Sequence, residues 1–259
     1  MYQHLKKQII PFIMAGLLIL VISTISFFAD ETLSFILSSS LVVAIGILMS
    51  LTGLLLFARE GILNDDKFHM LQTNLAIAVL FFSIAEILGI SVEVLGIAAS
   101  YQIAIGLVQL IGILLWVEGV VFYLYATNSV LEFSDKKLIM PLILILSAIP
   151  YIVVQVFILL SSAMLWSHLI VTILLEIGLT IVVISNLIIL YHFRKGFFSL
   201  PLLLSIIGTL ALLARTIIWS SIFPSYATPA MQIMAAIAYW LIGFSIFLIG
   251  KGERLIEAL

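Results

Sequence analysis

Runs of about 20 apolar residues recur from one end of this chain to the other, and that recurrence restricts its fold more than any other feature. A bilayer's hydrocarbon core takes about 20 helical residues to cross. Eight such spans can be drawn, at about residues 9–28, 33–58, 70–90, 98–126, 138–161, 165–193, 199–221 and 228–249. The connections are too short to hold a soluble domain. Only 9% of the 259 residues are charged, against roughly 25% in soluble domains. Backbone polar groups in lipid must be satisfied within their own segment, so the expected fold is an all-α polytopic membrane bundle of eight helices.

Pro11, Pro141, Pro201 and Pro229 each fall in or near the first turn of a span, where a missing N–H costs least. Pro150 lies inside the fifth span and predicts a kink there. The first run follows Lys6 and Lys7 but has no small-residue cleavage site after it, so it reads as a span and not a signal peptide.

Ten basic residues gather on one side of the eight spans: Lys6, Lys7, Arg59, Lys67, Lys136, Lys137, Arg194, Lys195, Lys251 and Arg254. The opposite connections carry Asp30, Glu31 and Glu93 and no Lys or Arg. By the positive-inside rule the expected location is the cytoplasmic membrane, with both termini inside.

The two halves resemble each other. Lys6-Lys7-x-Ile9-x-Pro11-x-Ile13 matches Lys136-Lys137-x-Ile139-x-Pro141-x-Ile143, and Arg59-Glu60-Gly61 matches Arg194-Lys195-Gly196. Ala85-Glu86 in the third span lines up with Ala214-Arg215 in the seventh. A duplication is expected, with repeats at residues 1–130 and 131–259. Each would hold an even number of spans, so the copies would be parallel, related by an axis along the membrane normal.

Full charges inside a membrane are costly and mark either sites or structural pairs. Glu86 and Arg215 would lie at matching depths in the outer half, as a ligand-binding or structural ion pair. Other polar side chains fall at that level or near it: Tyr101, Gln102, Gln109, Gln155, His168 and Gln232. Together they are candidates for one outer pocket. Glu176, near the middle of the sixth span, is a candidate protonatable site, and Glu118 a candidate companion at an inner level. Gly46, Gly53, Gly106, Gly112 and Gly208 would permit close helix contact and favour a compact bundle.

No cofactor is expected. Zero cysteines exclude thiolate metal sites and c-type haem attachment. No span holds a lysine at depth, which excludes a retinal Schiff base. Haem is disfavoured because His4, His69 and His192 lie at the basic end while His168 is alone at the other. There is no HExxH, GxSxG, Walker or dinucleotide motif. A net charge of −2 gives no footing for nucleic acid. The expected partners are membrane lipids and other membrane subunits. The expected function is non-catalytic, as a subunit of a membrane complex or a binder of an amphiphile such as quinone or lipid. A secondary transporter using Glu176 is the alternative, and an intramembrane enzyme acting on a lipidic substrate a weaker third.

Overall fold

Seven helices account for nearly all of what the computed structural model describes, which is residues 2–63, 67–95, 100–127, 166–193, 196–221 and 229–257. They are α1 (Tyr2–Phe28), α2 (Glu31–Leu63), α3 (Lys67–Leu95), α4 (Ser100–Thr127), α5 (Trp166–Phe193), α6 (Ser199–Ser221) and α7 (Pro229–Glu257). Each begins or runs on close to a span read from the sequence. The expected fifth span, 138–161, and Pro150 with it, lies outside the described residues. Six helices, α2 to α7, are long and apolar enough to cross a membrane, and α1 carries the apolar stretch Ile10–Ser26.

Helix ends follow local chemistry. Asp30 Oδ1 accepts a hydrogen bond from the Leu33 amide at 2.8 Å, satisfying one orphan donor at the start of α2. Between α5 and α6 the chain turns within a few residues, the Gly196 amide donating to the Phe193 carbonyl at 2.9 Å. Hydroxyls inside the helices mostly bond back to their own backbone, as Ser83 does to the Val79 carbonyl and Thr209 to the Ser205 carbonyl. That lets polar residues enter an apolar helix without an outside partner.

The six long helices form a closed ring. Each packs on its neighbours in the order α2, α3, α4, α5, α6, α7 and back to α2, while α1 lies outside against α2 and α7. Glycine contacts fix the direction of neighbouring helices. Gly106 of α4 meets Val171 of α5, and Gly178 of α5 meets Ile113 of α4, so both contacts keep one constant register and the two helices run parallel. Gly53 meets Ile246 and Gly250 meets Phe57, which makes α2 and α7 parallel too. The remaining ring neighbours are antiparallel: Gly112 of α4 approaches Ala78 of α3 while Gly119, further on, approaches Asn74. Two parallel interfaces therefore stand on opposite sides of the ring, each lined with glycines that bring the backbones close.

Outward faces are as apolar as inward ones. Leu107, Ile111 and Leu114 on α4, and Leu200, Leu203, Ile207 and Leu210 on α6, are exposed at helical spacing. Helices that are apolar all round belong in lipid or a large core, and here they line the outside of the ring. The α1 helix is held to α7 by aromatic packing. Phe12 lies 4.4 Å from the Phe247 ring, and the Trp240 indole N–H donates to the Phe12 carbonyl at 2.9 Å.

The parallel α4–α5 interface can be checked directly, since the chain has no cysteine of its own. A Cβ built at Gly106 lies 3.7 Å from Val171 Cβ, inside the disulfide range of about 3.5–4.5 Å. Gly106→Cys with Val171→Cys is expected to crosslink on mild oxidation, giving one linked peptide pair by mass spectrometry. An antiparallel or separated α4 and α5 would leave both thiols free to alkylate.

Candidate functional site

Position along the ring's inner face decides which polar residues meet. On α3 that face reads Phe68, Gln72, Leu75, Val79, Phe82 and Glu86, each three or four residues from the last and so stacked on one stripe. Glu86 comes near the far end of this stripe, where α4, α5 and α7 begin. On α6, Arg215 is six residues short of the helix end at the same level.

The two charges meet across the ring. Arg215 Nη1 donates to Glu86 Oε1, and Nη2 donates to Oε2 at 3.0 Å, the two-pronged geometry that suits guanidinium and carboxylate. The helices that carry them, α3 and α6, are not ring neighbours, so the pair ties opposite walls together. Glu86 is 1% exposed and Arg215 8%. Gln232 of α7, also buried, sits with its Oε1 3.5 Å from Arg215 Nη2, a long third contact.

Gln109 is the other outer residue that joins this group. A cavity of about 30 Å³ lies beside the pair, lined by Phe82 of α3, Gln109 of α4, Leu175 and Leu179 of α5, Arg215 and Thr216 of α6, and Tyr239 of α7. That is room for about one or two waters or a group of similar size. The Phe82 and Tyr239 rings stack nearly parallel, 9° apart with centroids at 6.4 Å, and form part of its wall. Five of the six ring helices thus converge on one small polar space.

The other expected residues divide. Tyr101, Gln102 and His168 lie on described helices, but their side chains fall outside the described residues, and Gln155 does so entirely. Glu176 is completely buried in α5, between the cavity-lining Leu175 and Leu179 in sequence. Its carbonyl accepts a hydrogen bond from the Thr180 hydroxyl at 2.9 Å. Glu118 is exposed, off the inward stripe Gln109–Ile113–Trp116–Val120–Tyr123 of α4. The two carboxylates therefore do not face a common interior space. Among the described residues no cluster of three or more His, Asp or Glu side chains has the layout of a metal site.

A second, larger cavity escaped the sequence reading. It occupies about 210 Å³ at the opposite, basic end of the ring and is walled by Phe68, Tyr123, Ile189, Phe193, Phe198, Leu202 and Ile249. Leu202 and Arg215 are 13 residues apart on α6, so the two cavities are separated by about 20 Å along the helix. Trp116, Val182, Ile242 and Ile246, all fully buried, pack between those levels.

These features define a class: a membrane-spanning helical protein, built as a ring whose interior carries a buried cross-ring ion pair. Scans against protein-family models, curated proteins and solved structures find no match to this chain.

Proposed function

We propose that this is a non-catalytic integral-membrane protein that holds the small polar head of an amphiphile beside the Glu86–Arg215 pair. The observation that supports it is the cavity shared by Arg215, Gln109, Thr216 and Tyr239, which combines donors with an apolar wall of Phe82 and leucines. Its size suits a hydroxyl, carbonyl or carboxylate at the tip of a quinone- or lipid-like molecule. Both guanidinium prongs already engage Glu86, which keeps the arginine charge compensated when the site is empty. In this reading the basic end faces the cytoplasm, and the protein stands alone or as a subunit among other membrane proteins.

The ring also supports the proposed duplication. A two-fold axis along the membrane normal would carry α2, α3 and α4 onto α5, α6 and α7. It would exchange the two parallel interfaces and bring Glu86 onto the place of Arg215.

Native mass spectrometry after gentle extraction from the source membrane tests the function. A defined amphiphile retained in one-to-one ratio, and lost in Gln109→Leu, is the expected result. Stoichiometric recovery with other subunits and no small molecule would replace the binding role with a structural one.

Transport is a second reading, favoured by one observation: a fully buried carboxyl, Glu176, near the middle of a membrane-crossing helix and next in sequence to the cavity-lining Leu175. It predicts proton-coupled flux in proteoliposomes that Glu176→Gln reduces at least tenfold. Equal flux in the variant and in empty vesicles would remove it.

A further inference from the structure

The large cavity at the basic end is walled by aromatic and aliphatic side chains, and two buried amides lie about one helical turn beyond that lining. Phe68, Tyr123, Phe193 and Phe198 form a connected set of rings. Phe68 lies 5.8 Å from both Tyr123 and Phe198, and Phe198 meets Phe193 edge-on at 6.1 Å. One turn deeper on the same inward stripes come Gln72, four residues after Phe68, and Asn186, three residues before Ile189. Both amides are more than nine-tenths buried, and Gln72 Oε1 and Asn186 Nδ2 have no hydrogen-bond partner among the described residues. Buried polar atoms left in that state cost free energy that a ligand or water can return. One amide offers an acceptor and the other a donor.

Charge narrows the ligand further. An aromatic cage suits a quaternary ammonium ion in other settings. Here the seven lining residues include no Asp or Glu, so a cation would find no counter-charge in the wall. A flexible acyl chain would fill the walls and leave both amides unmet.

We propose that this cavity binds an uncharged flat ring bearing oxygen substituents, of the phenol and quinone class. The ring lies among the four aromatic side chains, with an oxygen at the level of Gln72 and Asn186. This site is separate from the one beside Arg215 and stands whether or not that one is occupied.

The test is equilibrium binding of 1,4-naphthoquinone to the full chain in lipid nanodiscs, read by quenching of tryptophan fluorescence, with naphthalene as the ring without oxygens. Trp116 lies two turns from Tyr123 on the same face of α4, close enough to report. Saturable quenching is expected, weakened about tenfold in Asn186→Leu, a change that keeps the branched shape and removes the amide, and abolished by Leu202→Trp, which fills the space. Leu114→Ala, on the outward side of α4 and away from both cavities, is expected to leave it unchanged. Should Leu202→Trp fail to fold, Asn186→Leu and the naphthalene comparison still decide. Three results would each overturn the proposal: quenching that never saturates, equal affinity for naphthalene, or unchanged affinity in Asn186→Leu.

Discussion

Removing either partner of the Glu86–Arg215 pair is expected to be the most damaging single change in this protein. Glu86→Leu leaves a guanidinium, and Arg215→Leu a carboxylate, buried in the ring with no opposite charge across from it. Breaking a buried pair from one side costs about 3–5 kcal/mol. A lone charge at membrane depth is also expensive in its own right. The double variant Glu86→Leu with Arg215→Leu removes both charges and is expected to recover most of the loss. The measurement is the temperature at which half the protein stays monodisperse in size-exclusion chromatography after heating in lipid–detergent micelles. Both singles should fall well below the double. If the double variant is as unstable as the worse single, the pair is not a mutually compensating lock. Exchanging the residues, Glu86→Arg with Arg215→Glu, should rescue only in part, since Gln232 is placed to accept from a donor on α6.

The second large effect is expected at Gly243 on the parallel α2–α7 interface. A Cβ added there would sit 2.5 Å from Met49 Cβ, closer than real side chains approach. The clash is with the root of the Met49 side chain, which is itself fully buried, so the side chain cannot swing clear. Gly243→Ala should cost about 1–3 kcal/mol and Gly243→Leu more, by pushing α7 off α2. Gly196→Ala is the control, because its nearest neighbour is the Phe193 carbonyl at 3.5 Å. The same heating assay should show the control near wild type. Equal losses at both glycines would mean that general helix or turn effects, not close packing at α2–α7, set the result.

The outer site was legible in the sequence only in part. Glu86 and Arg215 stood out because a full charge inside a 20-residue apolar run is rare and costly, so its position alone identifies it. Counting residues placed Gln232 at the same level and Gln109 somewhat deeper. Which of the outer polar residues share one space was not readable, because that depends on where each helix turns its face. The order of helices around the ring was hidden for the same reason.

The basic-end cavity shows the limit most clearly. Phe68, Tyr123, Phe193 and Phe198 come from three helices and a turn, and nothing in their neighbourhoods marks them as a group. In a water-soluble helix the apolar stripe would have pointed inward. Here Leu107 and Ile111 face out while Ile113 and Trp116 face in, with the same apolar character on both sides. The usable signal was polar and not apolar: Gln72 opens the polar triplet Gln72-Thr73-Asn74 within α3, and Asn186 breaks an apolar run in α5.

What the sequence determined by itself is the membrane-spanning character, the helices and the two costly intramembrane charges. Those follow from segment length, from the requirement that backbone groups be satisfied in lipid, and from the cost of a buried charge. What only the tertiary structure decided is the closed order of six helices, the cross-ring geometry of Glu86 and Arg215, and the two axial cavities. Lipid and protein interior are about equally apolar, so hydrophobicity cannot tell a helix which face to turn inward. Glycine contacts, one ion pair and the shapes of packed side chains make that choice.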